Sequence, residues 1–276
     1  MSGKTLNELY AGACHILMSR FEIAQLFYHA TKTRVHELAH VGENIVAEQA
    51  ASRFKALCEQ RRAGVPLQYL LGEWEFYGLP LRVGRGVLIP RADTETLVDA
   101  ALELANTTSG YPKILDLCSG TGCVAIALSH MIPTAQVTAL ENSPHALEYL
   151  HENVRQNAVK VTVVEADIAA YSHPEPLDLI VCNPPYIPSD VIQGLAMELR
   201  YEPRRALDGG ADGLDFYRII TKLYRNQLAP KGWLCFEIGE GQAPQVKRIL
   251  EEHGYRSACT RSDLAGITRV VYARRE

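Results

Sequence analysis

The chain of 276 residues contains no unbroken apolar run of about 18 residues, the length that a bilayer-crossing helix needs. Its first residues also lack the basic stretch, apolar stretch and small-residue cleavage site of a secretory leader. We therefore expect a cytoplasmic protein with no membrane partner. Cysteine is sparse and irregular: Cys14, Cys58, Cys118, Cys123, Cys182, Cys235 and Cys259 are odd in number and never spaced Cys-x-x-Cys. That argues against a disulfide framework and a cysteine metal site, and favours reduced, buried small residues. An excess of positive charge is missing too, with 28 Lys and Arg against 32 Asp and Glu and a net charge of −4. No global footprint for nucleic acid follows, so a protein or small-molecule target is favoured. Internal repeats and low-complexity segments are absent. What is present is an ordinary globular composition, 47% hydrophobic and 22% charged, enough for one large domain or one large and one small.

Residues 1–65 are poor in proline and carry helical spacing. TLNE (Thr5 to Glu8) is a capping-box start, after which Leu6, Leu9, Tyr10, Ala13, Ile16 and Leu17 fall on one face. Further helices are expected over 22–30 and 42–62, which makes this region a small helical domain. Residues 66–89 change character to Gly, Pro and aromatics, and suggest a connecting hairpin around Gly78 to Pro80. Within 90–276, strands and helices alternate. KILDLC, QVTALE, VKVTVVEAD, LDLIVC and WLCFEIG read as strands, separated by helices over 122–130, 144–157, 214–228 and 243–253. A strand pair, 255–259 with 268–273, closes the chain. The pattern predicts an α/β domain, a mostly parallel, Rossmann-like sheet with helices on both faces.

LDLCSGTGCVAIAL places Gly120 and Gly122 in a strand-to-helix turn, where glycines permit a tight bend and close approach of a ligand. Glu141 ends the next strand, placed to accept hydrogen bonds from a ribose diol. GTGCVA also fits a loose dinucleotide pattern, so a nicotinamide enzyme and a purely structural turn both stay open. Asp116 upstream and Asp167 at the end of the third strand favour S-adenosylmethionine, with Asp116 near the methionyl end and Asp167 facing the adenine amino group.

DLIVCNPPYIPSD puts Asn183, Pro184, Pro185 and Tyr186 at the mouth of the fourth strand, across the crevice from that turn. Proline lacks an N–H and fixes φ, so the pair stiffens the loop and leaves the Pro184 carbonyl free to accept. The Asn183 side-chain oxygen and the Pro184 carbonyl could together grip both N–H bonds of a planar amino group, with the Tyr186 ring stacked against it. Such a nitrogen is a poor nucleophile. Orienting it towards a sulfonium methyl would favour in-line displacement with no covalent enzyme intermediate. A stiff turn with no chemistry is the plain alternative for this loop alone.

With these residues in hand, the chain resembles the S-adenosylmethionine-dependent protein-(glutamine-N5) methyltransferases that modify peptide chain release factors. PLQYLLGEWEFYGLPLRV, VLIPRADTETLV, ILDLCSGTGCVAIAL, DLIVCNPPYIP, YEPRRALDGGADGLDFYR and FEIGEGQ carry the resemblance in order along nearly the whole chain. It implies a helical substrate-recognition domain, a hairpin, and a seven-stranded class I methyltransferase domain. The implied substrate is the Gln of the GGQ motif in class I release factors, methylated on its side-chain amide to modulate translation termination. Asn183, Pro184, Pro185 and Tyr186 would bind that amide, within a wall shaped by Arg91, Thr94 and Glu95. The implied cofactor contacts are Asp116, Cys118, Ser119, Gly120, Thr121, Gly122, Glu141, Asp167, Ile168 and Asn183. Cys118 stands where the family often has Gly, and Glu141 where it often has Asp.

Other readings compete. HELAH (His36 to His40) fits the zinc-protease pattern, with only a speculative third ligand in Glu59; a helix-surface role is favoured and no metal is expected. NPPY is shared with adenine-N6 methyltransferases of nucleic acids, which should carry a basic surface. A ribosomal-protein glutamine methyltransferase would share the loop. A non-catalytic binding module would not need it intact beside an intact cofactor turn.

Overall fold

Thr5 opens the first helix as a capping box: its hydroxyl accepts from the Glu8 N–H at 3.2 Å, and the Glu8 carboxylate accepts from the Thr5 N–H at 2.9 Å. The computed structural model describes residues 4–14, 19–108 and 110–276, so Ile16 and Leu17 of the expected apolar face lie outside the described residues. Helix α1 is Leu6–Ala13, α2 Arg20–Thr31, α3 the single turn Leu38–Val41, α4 Glu48–Arg62 and α5 Leu67–Leu71. The expected helix over 42–62 starts only at Glu48. Residues 42–46 instead serve α1: the Leu6 and Asn7 N–H groups, unpaired within their own helix, donate to the Asn44 and Gly42 carbonyls. Phe27 anchors the helical core, edge-on to both Tyr10 and Phe54 at 5.4 Å.

The chain divides into two compact units, Met1–Glu73 with Ala196–Tyr201, and Trp74–Leu195 with Glu202–Glu276. The helical unit thus includes a segment more than a hundred residues away in sequence. Arg61 binds Glu22 at 2.8 Å and Glu198 at 2.5 Å, and the Tyr201 hydroxyl donates to the Ala63 carbonyl at 3.0 Å.

A hairpin comes next, β1 (Glu73–Phe76) and β2 (Leu79–Arg82), turned by Tyr77 and Gly78, both at positive φ. Helix α6 (Glu95–Ala105) follows. Then come β3 (Lys113–Leu117), α7 (Cys123–Met131), β4 (Gln136–Glu141), α8 (Pro144–Gln156), β5 (Val161–Glu165) and β6 (Leu177–Cys182). Helix α9 (Asp215–Tyr224), β7 (Leu228–Glu237), α10 (Ala243–Glu252), β8 (Tyr255–Ser262) and β9 (Thr268–Arg275) complete the chain. The sheet order is β5-β4-β3-β6-β7-β9-β8, parallel except for β9, which runs antiparallel to both of its neighbours. This is a class I methyltransferase architecture.

Alternate residues on each strand face opposite cores. Ile114, Leu179 and Val181 pack with Leu97, Ile126 and Leu150, while Leu115, Ile180 and Cys182 pack with Tyr217, Ile220 and Val246. The expected helix over 214–228 ends early, because Leu228 pairs with Leu177 as the first residue of β7. Cys14 and Cys259 are exposed, against the expectation that every cysteine is buried. Among the described residues no helix is long and apolar enough to cross a membrane.

From β3 the chain winds outward through β4 and β5, then returns to the other side of β3 as β6. The crevice at such a reversal, outside the carboxyl ends of the strands, is where open α/β sheets bind ligands. Register pairs Leu117 with Cys182 and Cys182 with Phe236, so the residues that follow each strand meet at one edge.

Candidate active site

The glycine turn after β3 is wound tightly. Cys118, Gly120 and Gly122 all have φ between 56° and 81°, and the Gly122 N–H donates to the Ser119 carbonyl at 2.7 Å. Gly122 sits at φ 81°, where a side chain is strained, and a Cβ there would also displace Leu150 Cδ1 of α8, 2.2 Å away. A Cβ on Gly120 would meet only Val87 Cγ2, at 3.9 Å. The space above Gly120 is open, as a cradle for a ligand must be.

Glu141 holds the turn. Its Oε2 accepts from the Gly120 N–H at 2.9 Å, and its Oε1 from the N–H groups of Asn142 (2.9 Å) and Ser143 (2.8 Å). A carboxylate has about four acceptor sites, so one remains for a ribose hydroxyl. Asp116 is buried beneath, its Oδ2 accepting from the Ala125 N–H of α7 at 3.2 Å. Burial pushes its carboxyl up to about 7; Ser119 and the Ala125 N–H oppose this and the Glu141 charge adds to it. Asp167 accepts from the Ala169 N–H at 2.7 Å and from Asn142 Nδ2 at 3.1 Å, and the Asn142 oxygen accepts in turn from Arg205.

Across the crevice, Asn183 Nδ2 donates to Thr94 Oγ1 at 3.2 Å, which leaves Oδ1 to accept from a ligand. Pro184 and Pro185 are buried, and among the described residues no main-chain N–H donates to the Pro184 carbonyl. The loop is clamped from outside. Ile187 N–H donates to the Leu207 carbonyl and Gly209 N–H to the Ile187 carbonyl, both at 2.9 Å, while Gln242 Nε2 donates to the Tyr186 carbonyl at 2.9 Å. Burial pushes the Tyr186 hydroxyl up to about 12, which keeps it neutral. Arg91 pairs with buried Glu202, whose other oxygen accepts from the Ile89 N–H at 3.0 Å.

One cleft joins the two halves. Asp116, Cys118, Ser119, Gly120, Thr121, Glu141, Asp167 and Ile168 line one side, and Arg91, Thr94, Asn183 and Pro185 the other. Gly122, Pro184, Tyr186 and Glu95 lie outside the lining. The Glu95 carboxylate instead accepts from the Tyr77 N–H at 2.8 Å, tying the hairpin to α6. Sequence reasoning missed Asn142, Arg205 and Phe216 in the wall and Glu237 behind it. Arg205, Phe216 and Glu237 sit within the EPRRALDGGADGLDFYR and FEIGEGQ segments, which are recognisable as motifs without disclosing individual roles. The open cradle over Gly120, a carboxylate acceptor at Glu141 and another at Asp167 fit the amino acid and nucleoside parts of S-adenosylmethionine.

In the HELAH stretch, His36 and Glu37 lie in a 3-10 turn and His40 in α3, and Glu37 accepts from the Arg34 N–H at 2.6 Å. Among the described residues no three His, Cys, Asp or Glu side chains gather as a metal site.

Comparison with known proteins bears on the same residues. The Methyltransferase small domain family matches residues 94–211, and the PrmC N-terminal domain family matches residues 12–72. The chain is 43% identical over 228 residues to a release factor glutamine methyltransferase of Geobacter sulfurreducens, covering 82% of this chain and 78% of that protein. It is 40% identical over 276 residues to the protein of that name from Moorella thermoacetica, covering 99% and 96%. The fold is similar to that of the 16S rRNA N2 G1207 methyltransferase of T. thermophilus, solved with AdoMet and guanosine, with a TM-score of 0.53 and 19% identity over 74% of this chain and 50% of that one. The chain, matched along its length by such relatives and built on a methyltransferase sheet, belongs to the release factor glutamine methyltransferase family.

Proposed function

We propose that this protein transfers a methyl group from S-adenosylmethionine to the side-chain amide nitrogen of a glutamine, that of the GGQ motif, in class I peptide chain release factors. The observation that carries the reading is Asn183: its Nδ2 is held by Thr94, so its Oδ1 is offered across the cleft from the open Gly120 cradle. S-adenosylmethionine, when bound, supplies a methyl group on a positively charged sulfur.

Asn183 Oδ1 and the Pro184 carbonyl accept the two N–H bonds of the glutamine amide and turn its nitrogen lone pair towards the cradle. With the cofactor bound, that lone pair would form the new N–C bond at the expense of the methyl's carbon–sulfur bond, and the surplus proton would pass to water. Holding the amide by two fixed acceptors removes the orientational freedom that would oppose attack and favours the loss of amide planarity. Gly120, Glu141 and Asp167 would hold the cofactor, while Arg91 and Thr94 would form the wall beside the reacting amide. The helical domain would bind the release factor away from the reacting glutamine, supplying affinity that one amide cannot. A translation factor as substrate places the enzyme in the cytoplasm and requires no contact with nucleic acid or membrane. No observation in the site favours a ribosomal protein or an adenine base over the release factor.

The deciding experiment incubates the protein and S-adenosylmethionine with unmethylated full-length release factor and sequences the GGQ peptide by mass spectrometry. One added methyl on that glutamine is expected. Folded protein that binds the cofactor and adds none would overturn the reading.

A further inference from the structure

Glu237 ends β7 beside the residue that follows β6, since Cys182 pairs with Phe236. It is 2% exposed, and among the described residues its Oε2 has no hydrogen-bond partner. A buried carboxyl with a bare oxygen is costly, so its persistence directly behind the reacting loop calls for a use. The Thr94 hydroxyl and the Asn183 amide both lie against this carboxyl and favour its charged form. Asn183 Nδ2 donates to Thr94 Oγ1 at 3.2 Å, and the Glu237 carboxyl lies behind that pair. An isolated amide could present either end to the cleft; the Thr94 acceptor, with a carboxyl behind it, selects Oδ1.

We propose that Glu237 is a positioning residue of the transfer site: as the carboxylate it turns Asn183 Oδ1 towards the substrate and stabilises the positive charge that the substrate nitrogen gains. This rests on the glutamine-methylating reading. As the N–C bond forms and the carbon–sulfur bond breaks, positive charge moves from sulfur to nitrogen until the proton leaves. A carboxylate one side chain behind the acceptor, in a water-excluded pocket, is placed to favour that shift. Burial pushes the Glu237 carboxyl up to about 7. The groups facing it are Thr94 and Asp93 before α6, Arg269 on β9, and Asn183, Cys182 and Tyr186 at the end of β6. Cys123 on α7 and Tyr217 on α9 face it as well. Arg269 favours its ionisation, Asp93 opposes it, and Arg269 is shared with Asp93 at 2.8 Å and Asp263 at 2.9 Å.

The test is single-turnover methyl transfer to unmethylated release factor between pH 6 and 9, for the parent and Glu237→Gln, with cofactor affinity and thermal unfolding measured alongside. The parent rate is expected to rise with an inflection near 7. Glu237→Gln is expected to lose that inflection and, above it, to be slower by about tenfold to a hundredfold. Its cofactor affinity should be unchanged, and its unfolding temperature at pH 8 equal or higher, because no charge is then buried. A merely structural Glu237 would do the opposite, lowering stability and leaving the pH profile in place. An active parent with an unaltered rate and profile in Glu237→Gln overturns this inference alone. A parent that transfers no methyl group overturns the proposed function and this inference together. Glu237→Asp keeps the charge and must retain the inflection at reduced rate; its loss there also overturns the proposal.

Discussion

A methyl group on Gly209 would stand 2.7 Å from Tyr186 Cα and 2.8 Å from the Pro185 carbonyl oxygen, atoms of a backbone that cannot step aside. Gly209→Ala is therefore expected to push the Asn-Pro-Pro-Tyr loop out of register with the cradle. We expect turnover to fall about tenfold or more. Stability should drop by about 1–3 kcal/mol and cofactor affinity stay level, as kinetics, denaturant unfolding and calorimetry on one preparation can show. A second residue-level prediction concerns Asp116. Its folded carboxyl is raised by burial to about 7 from an ordinary 3.8, so between those values the native state holds a proton that the unfolded chain releases. The stability this contributes is complete below the lower value and is lost as pH climbs through the upper one. Asp116→Asn, neutral throughout, should match the parent near pH 4 and gain unfolding temperature relative to it between pH 5 and 8; a constant gap would refute the shift. The side chains that bear on the reaction were legible to different degrees. Asn183 stood out because an Asn before two prolines after an apolar run has few bland explanations. Glu237 did not, because a Glu ending a strand is unremarkable until its neighbours are known.

Arg61 shows the same limit for elements. Its place near the end of α4 resembles the basic residues common at helix C-termini, yet its guanidinium binds Glu22 of α2 and Glu198 of the segment Ala196–Tyr201. Arg61→Ala should destabilise the helical unit by about 1–3 kcal/mol, since charge-assisted hydrogen bonds are lost and Glu22 is left partly buried. It should also raise the protease sensitivity of 196–201, and an unchanged digestion pattern would refute that attachment. Strands and helices of the larger unit were readable because β3, β4 and β6 are short apolar runs buried on both faces, whereas α8 and α10 each bury a single face at helical spacing. Boundaries were missed where tertiary partners took over, as at Leu228, drawn into β7 by Leu177, and at residues 42–46, drawn onto the start of α1.

For the whole molecule, the proposed division of labour gives a direct expectation. Removing residues 1–65 should lower kcat/KM on full-length release factor by about tenfold or more, with cofactor affinity retained. Equal kcat/KM for a folded truncated protein would sink the recognition role. The amino-acid order by itself determined the alternation of strand and helix, the glycine turn, the stiff loop, and through its motifs the family, because these are local patterns or short spacings along one chain. The tertiary structure decided the strand order about β3 and the register that brings the residues after β7 to the edge where those after β3 and β6 meet. It also decided that Glu95 serves the hairpin, and that Thr94 and Glu237 face the amide of Asn183. Contacts between residues far apart along the chain depend on strand register and burial. Those are properties of the packed chain, and no single stretch of sequence encodes them.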